Sequence, residues 1–267
     1  MKSIRNQHIP AMPRGILAAC ILAALLCSTR PGHATLFGHY AFEMNFQDSA
    51  SNAVASTSGI TTPGFTQGPT NFGLAVNLID NQGHEVWRNI QGLGLSFSNL
   101  TVAFWIRTTQ ANWRVPVTIE AQTIAEHKMA LEVSAAGHIY LSNPNGLPGA
   151  TGIWTDPNPS AYVSDGKWHH VAWTANRAAN SSVLYVNGVQ VGSNTWNATD
   201  AVKLWMLGKL KGNVTKNFTG QIDDFRLYRT ALNASQVQFI IPAFGVWGLL
   251  ALAGAIAYAM RRRWRKP

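Results

Sequence analysis

From Thr35 onward the chain is patterned in twos. Tyr40, Phe42, Met44 and Phe46 alternate with small or polar residues, and Leu100, Val102, Phe104 and Ile106 do the same. A period of two turns one face of a strand to a core and the other to solvent or a second layer. Met129, Leu131 and Val133 lead into Ala135-Ala136-Gly137, after which Ile139 and Leu141 resume the alternation, so a hairpin is predicted there. Between Ser182 and Val191, two runs of β-formers flank Asn187-Gly188, the pair that suits a type I′ turn because both central residues need positive φ. Leu204 to Leu207 and Gly220 to Tyr228 are further runs of strand formers, and Asn233 with Gln236 three positions on predicts a capped turn of helix. Many strands with turn signals and no repeated βα unit predict an all-β protein, a two-sheet antiparallel jelly-roll sandwich.

The two ends depart from this pattern. Lys2, Arg5 and Arg14 precede an apolar run of twelve residues from Ile16 to Cys27, and Ser28, Arg30, Pro31 and Gly32 then lead to His33-Ala34. That order reads as a secretory signal peptide over residues 1–34, cleaved after Ala34, and the run is too short to span a bilayer. A lipoprotein-like string, Leu17 to Cys20, is the rival, but little apolar sequence precedes it. At the other end Phe244 to Met260 is seventeen residues without a charge, followed by Arg261, Arg262, Arg263, Trp264, Arg265 and Lys266. This predicts a transmembrane helix whose C-terminus stays in the cytoplasm. The expected organisation is thus a signal peptide (1–34), a folded domain (35–239) and a tail with a membrane helix (240–267), in a protein exported to the cell envelope or surface.

This division changes the meaning of the charge. The formal net charge is +9, but nine of the 21 basic residues lie in the two end segments, leaving 12 basic against 12 acidic in the middle. A neutral domain has no electrostatic footprint for phosphate backbones, which argues against a nucleic-acid partner. Both cysteines, Cys20 and Cys27, fall in the signal segment, so the mature domain is expected to fold without a disulfide, a cysteine zinc site or a cysteine nucleophile.

Three stretches carry a family resemblance. Leu100-Thr101-Val102-Ala103-Phe104-Trp105-Ile106-Arg107, then Asp165-Gly166-Lys167-Trp168-His169-His170-Val171-Ala172 with the Tyr185-Val186-Asn187-Gly188 hairpin after it, and finally Phe218 to Tyr228 with Ala231-Leu232, occur in order. Together they resemble a LamG-like (concanavalin A-like) jelly-roll domain. The resemblance implies two antiparallel sheets packed face to face with binding loops at one edge, and a fold shared by lectins, adhesins and glycosidases.

The acidic residues bear on the catalytic option. Glucanases sharing this sandwich carry Glu-x-Asp-x(x)-Glu on one strand, because retaining hydrolysis needs an acid and a nucleophile roughly 5 Å apart. Here Glu43, Glu85, Glu120, Glu126 and Glu132 have no Asp between any close pair. Glu120, Glu126 and Glu132 are read as solvated strand-edge carboxylates. His169 and His170 are adjacent on a strand, face opposite ways and are read as structural. Three functions remain open: a binding module for carbohydrate or another extracellular polymer, a structural or adhesive protein that binds proteins, and a carbohydrate-active enzyme without a recognisable catalytic constellation.

Tryptophans supply the candidate binding residues. Trp105, Trp168, Trp173 and Trp205 lie within alternating strand patterns and are expected in the core. Trp113, Trp154 and Trp196 lie in polar loops, where an indole offers a flat apolar face to a sugar ring or folds back as a cap over a sheet edge. The resemblance also implies a structural Ca²⁺ near the junction of first and last strands, with Asp223 and Asp224 in the closing motif and Asp48 as their partner. Finally, Ile241-Pro242 and Trp247-Gly248, followed by the apolar run and Arg261, Arg262 and Arg263, resemble the IPTL-CTERM relative of PEP-CTERM sorting signals, with Ala243, Gly245 and Val246 where Thr, Ser and Glu are usual. That resemblance implies an exosortase-type enzyme cutting near Pro242.

Overall fold

The computed structural model describes residues 34–241, apart from 71, 124–126, 211 and 214. The signal segment before Ala34, and the sorting and membrane segment from Pro242 through Trp247, Gly248 and Arg261 to Arg263, lie outside the described residues. Among the described residues no helix is long and apolar enough to cross a membrane.

The alternation is realised as two antiparallel sheets. One has eight strands: β12 (Val189–Asn194), β11 (Ser181–Val186), β10 (Trp168–Asn176), β6 (Asn99–Arg107), β14 (Gly220–Tyr228), β4 (Leu74–Leu78) and β3 (Gly64–Gln67) in spatial order, with β1 (Leu36–Tyr40) also pairing β14. The other has six: β2 (Ser56–Ser58), β5 (Glu85–Asn89), β13 (Val202–Leu207), β7 (Arg114–Ala121), β8 (Lys128–Val133) and β9 (Ile139–Ser142). The sequence neighbours β6 and β7 lie in different sheets, as do β13 and β14, so the chain crosses repeatedly between layers and ties them together.

Between the sheets, Val102, Phe104 and Ile106 of β6 and Val171 and Trp173 of β10 meet Val117 and Ile119 of β7, Leu131 and Val133 of β8, and Trp205 of β13 in one buried cluster. Burying each such side chain contributes about 1.5–3 kcal/mol. Trp205 sits at the centre of one half, its ring 4.6 Å from Tyr40 and 4.8 Å from Phe225 between centroids. Trp173, hydrogen-bonded from Nε1 to Ser182 Oγ at 2.8 Å, anchors the other.

The predicted local signals are formed. Asn187 and Gly188 have φ of 51° and 77°, as a type I′ turn requires. The β8–β9 hairpin pairs Leu131 with Leu141 and Val133 with Ile139. Helix α1 (Ala234–Ile240) opens with a reciprocal capping box, in which Asn233 accepts from Gln236 N and the Gln236 side chain accepts from Asn233 N.

Four expectations need correction. First, residues 40–46 are not one strand: β1 ends at Tyr40, and Phe42 and Met44 adopt left-handed φ of 53° and 57°, joined by a Met44 N to Phe42 O bond. Second, Trp105 and Trp168 are both half-buried and outside the core; because Phe104 and Ile106 point inward, Trp105 must point outward, where it lies beneath Phe72. Third, Glu120 and Glu132 are not solvated: they are 2% and 1% exposed on the outer face of the six-stranded sheet, where Lys203 pairs with Glu120 at 3.2 Å and Lys216 with Glu132 at 2.6 Å. Glu126 lies outside the described residues. Fourth, the strand alternation expected over Gly220 to Tyr228, which would put the neighbours Asp223 and Asp224 on opposite faces, is broken. A bulge between Asp223 and Arg226 gives Asp224 a φ of 50°, so both aspartates stand between the inward-pointing Ile222 and Phe225.

The histidine pair divides as the pleat demands. His169 bonds Asp165 through Nε2 at 2.8 Å and approaches Asn187 Nδ2 at 3.1 Å, whereas His170 is buried edge-on against Trp105. Burial holds the His170 pKa down to about 3 from 6.5, with the Asp224 charge opposing the shift only in part. Below pH 6.5 the unfolded chain therefore takes up a proton that the folded chain refuses, and stability falls as the pH drops toward 3. Urea unfolding between those limits tests this: His170→Gln should lose less stability on acidification than the parent, and parallel losses would contradict the assignment.

Candidate functional site

The outer face of β8 and β9 is fixed by the inner one. With Leu131, Val133, Ile139 and Leu141 in the core, Glu132, Tyr140 and Ser142 must face outward. After β9 the chain loops out and returns so that Ile153 pairs with Leu141 in both directions, at 3.0 and 2.8 Å. Gly152 allows this approach, since a Cβ there would stand 2.8 Å from the Leu141 carbonyl oxygen. Thr155 Oγ1 donates to Ile139 O at 2.6 Å and Asn194 Nδ2 to Gly152 O at 2.8 Å, which holds the returning segment against the sheet. Ile153 is buried, so Trp154 points out and lies over Tyr140, ring centroids 4.7 Å apart and planes within 6°.

A third ring arrives from the turn before β7. Asn112 and Trp113 have φ of 83° and 60°, and Asn112 N donates to Ser134 O at 3.0 Å. A left-handed conformation costs a bulky L-residue about 1–2 kcal/mol and persists only where the surrounding structure imposes it. Its effect is to stand the Trp113 indole edge-on to the stack, 5.5 Å from Tyr140 at 85° and 5.9 Å from Trp154 at 80°. Trp154 is 65% exposed and Trp113 is 38% exposed.

These rings wall a cleft of about 500 Å³ that also borders Glu132, Ser142, Asn143, Pro144 and Lys216. Beneath the rings, Glu132 accepts from Ser142 Oγ and from Lys216 Nζ. Burial, followed by a hydrogen bond to the Glu132 carboxylate and its charge, drives the Tyr140 pKa up, so the hydroxyl stays protonated and donates to Glu132. Apolar ring faces beside hydroxyl oxygens that can accept and an ammonium group that can donate make a surface for a polyhydroxylated ring. Glu132 is the cleft's one carboxylate among the described residues.

Of the three tryptophans expected at the loops, Trp113 and Trp154 come together here and Trp196 does not. Trp196 is fully buried, T-shaped on Trp173 at 5.4 Å and bonded from Nε1 to Phe97 O at 2.7 Å, so it caps the core. Tyr140, Glu132 and Lys216 were not anticipated as site residues. The alternation of Ile139 and Leu141 already placed Tyr140 outward, whereas nothing local tied Lys216, 84 residues from Glu132, to this face.

The expected calcium ligands separate. Asp48 is fully buried and engaged by His39 N, Ala50 N, Ser51 Oγ and Arg88, and Asp224 is held by His39 Nε2 at 2.6 Å and Arg226 Nε at 2.8 Å. Asp48 therefore has both oxygens, and Asp224 its Oδ1, bound within the protein, so the three aspartates do not present a common set of free oxygens to an ion. Asp223 differs: its Oδ2 is buried with no hydrogen-bond partner among the described residues. It lines a cavity of about 260 Å³ together with Glu43, which sequence reasoning missed. Burial, reinforced by the charges of Asp224 and Glu43, raises the Asp223 pKa to about 8. Among the described residues no group of three or more His, Cys, Asp and Glu side chains is arranged to hold a metal.

Comparison with known proteins agrees with this architecture. The profile of the concanavalin A-like lectin/glucanases superfamily, Laminin_G_3, matches residues 81–238. Paraclostridial mosquitocidal protein 1 of Paraclostridium bifermentans is 26% identical over 159 residues, 55% of this chain but only 12% of that protein. Its binding domain, 21% identical, aligns with a TM-score of 0.59 over 79% of this chain and 52% of that one. Domain 4 of AbnA, a GH43 extracellular arabinanase from Geobacillus stearothermophilus solved in complex with arabinotriose, aligns with a TM-score of 0.59 and 24% identity over 77% of this chain and 97% of that one. The binding domain of botulinum neurotoxin DC in complex with SialylT aligns at 0.54 and 15% identity over 77% and 50%. With its two-sheet antiparallel topology and a profile match across more than half its length, the chain belongs to the concanavalin A-like lectin/glucanases superfamily.

Proposed function

We propose that this domain is a glycan-binding module and that the Trp113–Tyr140–Trp154 cleft is where it binds. The observation that carries this reading is the exposed aromatic group itself. Two indoles and a phenol are gathered from two separate loops and a strand, one at the cost of a strained backbone, and left facing solvent over polar donors. Likeness in fold to an arabinanase domain solved with arabinotriose and a neurotoxin binding domain solved with SialylT supports the same reading. Export to the cell envelope and processing of the tail by an exosortase-type enzyme belong to this proposal, since an extracellular polymer is met only outside the cell. Mass spectrometry of the mature protein tests that part: loss of residues 1–34 and of the Arg261–Arg263 cluster is expected, and intact ends would refute it.

A structural Ca²⁺ is a second proposal, favoured by the unpartnered Asp223 Oδ2. Asp223 and Glu43 would hold it, with backbone carbonyls and water completing the six to eight oxygens that calcium needs. The ion would cross-link the opening and closing segments of the domain. A melting temperature that drops on chelation and returns with added Ca²⁺ is expected; an unchanged one removes the ion from the account.

The glycan reading is tested by affinity electrophoresis on a polysaccharide panel, with thermal melting alongside. Trp154→Ala should weaken retention at least about ten-fold, or about 1.4 kcal/mol, with little change in melting. Trp113→Gly should also lose retention while stability stays within about 1 kcal/mol of the parent, because relief of the left-handed strain offsets the lost ring contacts. Trp196→Ala should cost about 3–5 kcal/mol of stability, as buried aromatic truncations do. A parent that retains no glycan, or a Trp154→Ala variant that retains it fully, would overturn the reading.

A further inference from the structure

We propose that the cleft selects single, soluble, uncharged glycan chains, and rejects both the flat face of a crystalline polysaccharide and acidic chains. This rests on the reading of the cleft as a glycan site and names its ligand class. The first ground is the ring geometry. A crystalline polysaccharide presents sugar rings in one plane, so a module that adheres to it needs aromatic faces that share a plane. Trp154 and Trp113 stand at 80° to each other with centroids 5.9 Å apart, and Tyr140 covers one face of Trp154. No flat surface touches the open faces of both indoles. A free chain, whose successive rings rotate about each glycosidic bond, can lay one ring on Trp154 and turn the next toward Trp113.

The second ground is charge. Among the described residues lining the cleft only Glu132 and Lys216 are ionic, and they are 2.6 Å apart with the carboxylate 1% exposed. If Lys216 swung to a ligand carboxylate, the buried Glu132 carboxylate would keep the Ser142 hydroxyl but lose the counter-charge it is paired with, which is unfavourable. An acidic sugar would therefore lose hydration on entry and, among the described residues, meet only a lysine already paired to a carboxylate. A neutral sugar meets the remaining ammonium hydrogens of Lys216 as donors and the Tyr140 hydroxyl oxygen as acceptor, its proton being shared with Glu132, and these serve its hydroxyl groups without disturbing the pair. The ion pair thus acts as the filter against charge, and Glu132 sets specificity by keeping Lys216 engaged.

Titration calorimetry and pull-down with the purified protein test this on three probes: soluble neutral arabinan and glucan oligosaccharides, soluble oligogalacturonate, and crystalline cellulose or chitin powder. Binding of the neutral chains alone is expected, with affinity changing less than about two-fold between about 50 mM and about 500 mM NaCl, since no charged contact is screened. Glu132→Gln, checked for an intact melting transition, should gain at least about five-fold in affinity for oligogalacturonate by releasing Lys216. Should that variant fail to fold, the salt dependence and the probe preference of the parent decide. Pull-down by crystalline powder, or salt-sensitive binding of oligogalacturonate by the parent, overturns the ligand class while leaving a glycan site in place. Absence of binding to all three probes, or binding untouched by Trp154→Ala, overturns the glycan reading itself.

Discussion

Because successive side chains of a strand leave opposite faces, the inward demands of the core dictate what each sheet shows outside. Leu131, Val133, Ile139 and Leu141 are held in the inter-sheet cluster, so Glu132, Tyr140 and Ser142 have no other place to go than the outer face. A slip of one residue in the β8–β9 register would send Tyr140 into the core and Leu141 into water, costing the burial of each apolar side chain it exposed. The cleft is thus a consequence of the core, and its first ring is as well fixed as the sandwich that carries it. With no cysteine among the described residues, that core is the main source of the fixity.

Onto this rigid strand ring the protein adds two indoles by different means. Trp154 arrives on a segment paired to β9 by backbone hydrogen bonds, with Gly152 clearing the way, and is unstrained. Trp113 arrives through two consecutive left-handed residues, a conformation that the surrounding contacts impose rather than the residues prefer. The asymmetry matters for function: a stacked pair alone would be a flat platform, and the third, perpendicular ring makes it a cleft. Elsewhere in the fold the aromatic residues that face inward, Trp173, Trp196 and Trp205, are fully buried against other rings and offer no face to a ligand.

Much of the fold was legible in the sequence, because its signals are local. Alternation over Leu100 to Ile106, the Asn187-Gly188 turn and the Asn233/Gln236 box each depend on residues within a few positions of one another. Two loop tryptophans, Trp113 and Trp154, were legible from their polar surroundings for the same reason. What could not be read depends on distant partners or on backbone irregularity. Trp196 looks like a loop residue until Phe97 O and Trp173 are seen to enclose it, and Glu132 looks solvated until Lys216 is brought across the sheet. Asp223 and Asp224 appear to face opposite ways until the bulge puts both between Ile222 and Phe225, and Asp48 appears free until Arg88 claims it.

The central claim is that a glycan is held by exposed aromatics raised on the β8–β9 face, and tryptophan indole N–H resonances report on it directly. The chain has ten tryptophans, and those of the core and of the cleft differ in burial from 0% to 65%, so a ligand at the cleft has a distinct signature. Titration of a soluble neutral oligosaccharide into protein labelled at the indole nitrogens should shift the Trp113 and Trp154 signals progressively and leave Trp173, Trp196 and Trp205 in place. Saturable shifts that spare Trp113 and Trp154 and fall on other indoles would place the ligand elsewhere on the sandwich and contradict the account.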